Sequence, residues 1–179
     1  MRKPLAHMID WGLGLKKLAK FYYSFDADSP CYQFTNDVLD GLHVTPHLDD
    51  ENLARLPKEG PCIVVANHPH GMLDGLYLMS VLQRARPDFR LMANHFLAQY
   101  RQLRPLFVEV NPFGGKEAIR QNVAGARFAT QYVRDGHMLV IFPAGEVSSL
   151  ARGTRKVMDP KWDVGVARFI EKTNAPVVP

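Results

Sequence analysis

The run Ala66-Asn67-His68-Pro69-His70-Gly71-Met72-Leu73-Asp74-Gly75 holds two histidines and an aspartate within seven residues. Imidazole is the side chain best matched to proton transfer near neutral pH. A carboxylate held against its other ring nitrogen fixes the tautomer and stabilises the imidazolium. The chemistry read here is general-base catalysis by His68 with Asp74 as its orienting partner. Two other readings use the same residues. Asp74 is placed to cap a helix, with both histidines as loop residues. Alternatively His68, His70 and Asp74 form the metal site of a metal-dependent hydrolase. The second alternative asks for an acid two residues after His70 and then another histidine, and Met72 and Leu73 stand there instead.

A second polar turn is Ile141-Phe142-Pro143-Ala144-Gly145-Glu146-Val147-Ser148-Ser149. Pro143 and Gly145 shape a tight turn, and Gly145 permits close backbone approach to a ligand. Glu146 and Ser148 add polar groups. A third is Asn111-Pro112-Phe113-Gly114-Gly115-Lys116. A glycine pair before a helix leaves N–H groups free to hold an anion. Lys116 and Arg120 are four apart and share a face, so a phosphate would suit this turn. An ordinary strand-to-loop turn and a solvated basic face are the plainer readings of these two.

The elements that must position these turns follow from periodicity. Cys62–Ala66 is wholly apolar and β-branched, as a buried strand requires. Residues 74–86 then read as a helix. Strands at Phe89–Ala93, Leu106–Val110, Met138–Phe142 and Ala175–Val178 alternate with helices over 95–103, 116–135 and 163–173. This alternation predicts an α/β fold, with a largely parallel sheet flanked by helices. In such sheets ligands bind at the carboxyl ends of the strands, where the first two turns fall. Residues 5–24 read as an amphipathic helix, with Leu5, Met8, Ile9, Leu13, Leu15, Leu18 and Phe21 near helical spacing. Trp11, Tyr22, Tyr23 and neighbouring lysines give it an interfacial composition; packing on its own domain is the alternative. Residues 25–60 carry turn signals and read as a connection. The organisation expected is therefore an N-terminal helix and linker over 1–60 and a catalytic domain over 61–179. The last strand stops at Pro179, which fits a chain that continues.

The bulk properties narrow the partners. The chain has 179 residues, 46% hydrophobic and 22% charged, enough for one globular domain. The net charge of +4 suits an anionic lipid surface or a phosphate-bearing substrate, and equally a protein without a charged partner. No basic run is dense enough for nucleic acid. Cys31 and Cys62 have no metal-ligand spacing and form no disulfide framework, which fits a reducing compartment. No apolar stretch reaches the roughly 18–20 residues of a spanning helix.

The first turn resembles the N-H-x-x-x-x-D motif of the glycerophospholipid acyltransferases, the lysophosphatidate-acyltransferase-like proteins. Here five residues separate His68 from Asp74, which is similar to a subgroup with an N-H-P-x-G-x-x-D-G run that includes haemolysin-like and ornithine-lipid acyltransferases. The family's F-P-E-G-T-R-S motif is matched by Phe142-Pro143-Ala144-Gly145-Glu146-Val147-Ser148, with Val147 in place of the arginine that typically helps hold a phosphate. Leu106–Asn111 matches a further motif loosely, and Ala175-Pro176-Val177-Val178-Pro179 resembles the closing apolar strand. The resemblance covers roughly residues 60–179.

The resemblance implies acyl transfer from acyl-CoA or acyl carrier protein to the hydroxyl of a lyso-lipid or glycerol phosphate. The thioester is a co-substrate, and no cofactor or metal is expected. His68 and Asp74 would be catalytic. Asn67, Gly71, Lys116, Arg120, Pro143, Gly145, Glu146 and Ser148 would bind substrate, with backbone N–H groups near Gly71 or Gly145 as oxyanion donors. Arg152, Arg155 and Lys156 are further candidates for the missing arginine's role. The expected location is peripheral, on the cytoplasmic face of a membrane. A lipid-binding module without catalysis is the remaining alternative.

Overall fold

The computed structural model describes residues 20–179 except 27, 48, 112, 114 and 152, and not the side chains of residues 50 and 96. The amphipathic segment over 5–24 lies outside the described residues up to 19. Its end is helical at 20–22 and packs inward. The Tyr22 hydroxyl donates to Gln102 Oε1 at 3.2 Å, and its ring meets Tyr100 at 4.9 Å between centroids. Tyr22 is thus domain packing rather than an interfacial aromatic, while Tyr23 beside it is exposed.

Five strands form one parallel sheet: β1 (Cys62–Val65), β2 (Phe89–Asn94), β3 (Phe107–Val110), β4 (Met138–Ile141) and β7 (Val177–Val178), in the order β3-β2-β4-β1-β7. β1 and β4 lie side by side at the centre, with Cys62 opposite Met138 and Val65 opposite Ile141. Both are buried along their whole length. Side chains on a strand alternate between faces, and here both faces are covered. Cys62, Val64, Met138, Val140, Phe89 and Leu91 pack with one apolar cluster, and Ile63, Val65, Leu139 and Ile141 with the other. That is why β1 and β4 read as continuous apolar runs.

The first face is covered by α1 (Cys31–Gly41) and α3 (Met72–Ala85), the second by α4 (Lys116–Arg134) and α5 (Val164–Thr173). α3 sends Leu76, Met79 and Leu82 into the core at helical spacing. Gly125 on α4 is required by close approach: a Cβ there would stand 2.9 Å from the Glu109 carbonyl of β3. Residues 25–60, read above as a connection, contain α1 and the one-turn helix α2 (Asp50–Leu53). Phe34, Val38 and Leu39 of α1 join the same core as the sheet, and Ser80 Oγ donates to Asn36 Oδ1 at 2.7 Å across the α1–α3 contact. Turn residues at either end hid this helix.

Three other readings shift. The helix after β1 begins at Met72, so Asp74 stands in its first turn and Gly71 occupies the cap position. Residues 95–103 form a 3₁₀ turn over His95–Gln99, followed by another over Arg104–Leu106 with Pro105 in its first turn. The segment after β4 carries an unanticipated antiparallel hairpin, β5 (Ser149–Leu150) with β6 (Val157–Met158).

Candidate active site

The site is built where the two central strands end together. Ala66 N–H still donates to Ile141 O at 3.2 Å, and then both chains leave the sheet. Pro69 removes a donor and holds His68 out of helical backbone. Gly71 has φ 64° and ψ −128°, a conformation that side-chain-bearing residues avoid, and it turns the chain into α3. The Asp74 carboxylate then reaches back over the turn. Its Oδ2 accepts from His70 N–H at 2.8 Å, so it serves an otherwise unpaired donor near the helix start in the manner of a capping box.

The same carboxylate holds both imidazoles. His68 Nδ1 lies 3.0 Å from Asp74 Oδ2, and His70 Nδ1 lies 3.2 Å from Asp74 Oδ1. With Nδ1 of His68 as the donor to this carboxylate, its Nε2 carries the lone pair. The two histidines differ in setting: the His68 side chain is 18% exposed and the Asp74 side chain 14%, against 68% for His70. Among the described residues Asp74 forms ion pairs with these histidines and with no lysine or arginine. Both Nδ1 atoms face the carboxylate oxygens rather than a shared empty point. Among the described residues no group of three His, Cys, Asp or Glu side chains is arranged to hold a metal.

The turn after β4 packs against this assembly. The Phe142 ring stacks on His68 at 4.1 Å between centroids, inclined by 20°. Pro143 is fully buried, and its carbonyl accepts from Asp163 N–H at 2.9 Å. Gly145 N–H closes its own turn onto Phe142 O at 3.0 Å. Ser148 N–H donates to His68 O at 2.8 Å, and its hydroxyl donates to Asp159 Oδ1. Val147 comes up against Gly71, where a Cβ would meet its Cγ2 at 3.4 Å. Asn67, Gly145 and Glu146 are exposed beside the turn.

Lys116 and Arg120 are brought to the same edge of the sheet but not to this turn. They open α4, which follows edge strand β3, and both are exposed. Three inter-strand spacings separate β3 from β1, about 14 Å at the usual strand separation. Arg155 and Lys156 are exposed between β5 and β6, and Arg152 lies outside the described residues.

Sequence reasoning missed Asp159. It accepts from His68 N–H at 3.2 Å across 91 residues of chain, from the Ser148 hydroxyl, and from Trp162 Nε1 at 3.4 Å. The Ser148 hydroxyl, with help from the His68 amide and the indole, holds its carboxyl below the usual carboxylate range. Its only local signal is the following proline, a generic turn mark. The thiols are poor nucleophiles: burial pushes Cys31 up to about 11 and raises Cys62, which lies inside β1.

Comparison with known proteins identifies a family. The family described as Acyltransferase matches residues 47–179, which takes in both turns and all five strands of the sheet. A protein named lyso-glycine lipid O-acyltransferase from Phocaeicola vulgatus is 30% identical over 130 residues, covering 72% of this chain and 44% of that protein. One of the same name from Bacteroides thetaiotaomicron is 31% identical over 113 residues, covering 63% of this chain and 39% of that protein. The matched part of this chain thus spans less than half the length of either relative. With a family match over most of its length, an α/β fold with a mostly parallel sheet, and lipid acyltransferases as relatives, the chain belongs to the glycerophospholipid and lipid acyltransferase family.

Proposed function

We propose that this protein transfers a fatty acyl group from a thioester, acyl-CoA or acyl carrier protein, to the hydroxyl of a lyso-lipid at a membrane surface. The observation that carries the reading is the His68–Asp74 contact of 3.0 Å, at the carboxyl ends of the two central strands. Asp74 holds Nδ1, and Nε2 of His68 takes the proton from the acceptor hydroxyl as its oxygen attacks the thioester carbonyl. Backbone donors stabilise the oxyanion that forms. Gly145 N–H is taken up in its own turn, which leaves the Gly71 side of the site as the candidate. Collapse of the intermediate breaks the C–S bond. The departing thiolate receives the proton from the imidazolium, which returns His68 to its starting state. The step needs no acyl-enzyme and no cofactor, and holding the two substrates together lowers much of the barrier.

A lyso-aminolipid is the favoured acceptor. Val147 stands where the family motif has its phosphate-holding arginine, and both relatives carry the name of a lyso-glycine lipid enzyme. Lysophosphatidate and glycerol phosphate are the alternatives, with Lys116 and Arg120 as the cations that would serve them or a donor phosphate. The protein is proposed to work peripherally on the cytoplasmic face of the membrane. No helix among the described residues is long and apolar enough to cross one. The test is an acceptor screen: lyso-glycine lipid, lysophosphatidate and glycerol phosphate, each with acyl-CoA and with acyl carrier protein donors, read by mass spectrometry. Acylated lyso-glycine lipid is expected. A folded protein that acylates none of these acceptors overturns the reading.

A further inference from the structure

We propose that Asp159 is a positioning residue for acyl transfer, setting His68 through its main chain from the segment that follows the β5–β6 hairpin. The proposal rests on the acyl-transfer reading of the site. Asp74 controls the ring of His68, but a ring is placed only as well as the backbone that bears it. Beyond Ala66 the chain has left the sheet, and Pro69 contributes no amide hydrogen, so the ladder no longer fixes His68. Its two main-chain groups are instead held from the other side of the site. The amide N–H donates to Asp159 Oδ1 at 3.2 Å, and the carbonyl accepts from Ser148 N–H at 2.8 Å.

Asp159 joins these contacts into one unit. The oxygen that receives the His68 amide also receives the Ser148 hydroxyl, and the other oxygen receives Trp162 Nε1 at 3.4 Å. Asp163, four residues on, ties its N–H to Pro143 O at 2.9 Å, so the same segment also grips the turn after β4. A carboxylate suits this place because it is acceptor-only and can serve three donors at once. An amide there would turn its NH₂ toward one of those donors. Loss of Asp159 would leave the His68 amide and the Ser148 hydroxyl unpaired at a half-buried site and free the loop to shift. Displacing a general base by about 1 Å is enough to cost on the order of 10²-fold in rate.

The test compares Asp159→Ala and Asp159→Asn with the unaltered chain, using an acyl-CoA and a lyso-glycine lipid in detergent micelles, below the melting temperature of each variant. Asp159→Ala is expected to lower kcat about 10- to 100-fold with KM for both substrates within about twofold, and Asp159→Asn to fall between. Imidazole ¹⁵N signals of His68 are expected to move in both variants. A kcat within about twofold of the unaltered chain overturns the proposal, as do unmoved His68 signals in either variant. The magnetic-resonance arm needs no turnover. An unaltered chain that transfers nothing therefore counts against the acyl-transfer reading alone, and the His68 signals still decide the role of Asp159.

Discussion

Among the described residues, the His68–Asp74 and His137–Asp88 pairs have nearly the same local form. At the carboxyl edge of the sheet, His68 Nδ1 meets Asp74 at 3.0 Å and its ring stacks on Phe142. At the amino edge, His137 Nδ1 meets Asp88 Oδ2 at 3.2 Å and its ring stacks on Tyr132 at 4.4 Å. The pairs differ in what else touches the carboxylate. Asp88 receives a two-pronged grip from Arg86, Nε to Oδ1 and Nη2 to Oδ2, both at 2.8 Å. Arg86 is 3% exposed and also donates to Pro57 O and Gly136 O, so it links the connections that enter β1, β2 and β4. The guanidinium engages both carboxylate oxygens, and the pair becomes an anchor. Among the described residues Asp74 has only histidines and an amide to serve. A histidine beside a carboxylate is thus not in itself a catalytic pair. The companion of the carboxylate and the edge of the sheet decide which it is.

The sharpest way to break this comparison is to remove each imidazole in turn. His68→Ala is expected to lower acyl transfer about 10⁴-fold with its melting temperature retained, while His137→Ala leaves turnover per folded molecule within about twofold. Equal losses in steady-state assays would show that the two pairs are not different in kind. Asp74→Asn comes next, at about 10³-fold in kcat, because an amide no longer fixes the tautomer or stabilises the imidazolium. Activity within a few-fold of the unaltered chain would reduce Asp74 to a turn-closing residue.

At the amino edge the expected effects are on stability. Asp88→Ala leaves the buried Arg86 charge unpaired and should cost about 3 kcal/mol in urea unfolding, with kcat of the folded fraction unchanged. Gly71→Ala introduces a Cβ at a disfavoured conformation and should cost about 2 kcal/mol, with reduced transfer because the same turn carries His68. If melting falls and transfer does not, the turn does not transmit strain to the base. The mildest effect is the pH dependence of the Asp88 anchor. The Arg86 hydrogen bonds hold its carboxyl below the ordinary carboxylate value, with a smaller contribution from His137. A depressed folded-state pKa means this stabilisation is fully present above the unfolded value and is lost as pH falls through the folded one. Urea midpoints measured from pH 6 downward should decline more steeply for the unaltered chain than for Asp88→Asn.

Much of this architecture was legible in the chain itself. The apolar runs read as strands over 62–66 and 138–142 fall on β1 and β4, and both are apolar throughout because strands buried on both faces cannot alternate. The spacing of His68 and Asp74 marked the site, because a turn between a strand and a helix keeps both within reach of each other. α1 was not legible. Its buried positions at Phe34, Val38 and Leu39 have helical spacing, but proline and paired aspartates in the surrounding stretch gave a stronger turn signal. The hairpin was hidden by its length, since two residues per strand show no period.

The sequence by itself determined which turns hold reactive groups and which strands lie in the interior, since both follow from short-range spacing and hydrophobic pattern. Only the tertiary structure decided that β1 and β4 are neighbours, that Phe142 lies against His68, that Asp159 closes on its amide from 91 residues away, and that the helix opened by Lys116 and Arg120 follows an edge strand rather than a central one. The physical reason is that strand order and loop convergence come from packing a whole core at once. Contacts between residues far apart in the chain leave no periodic mark on either partner.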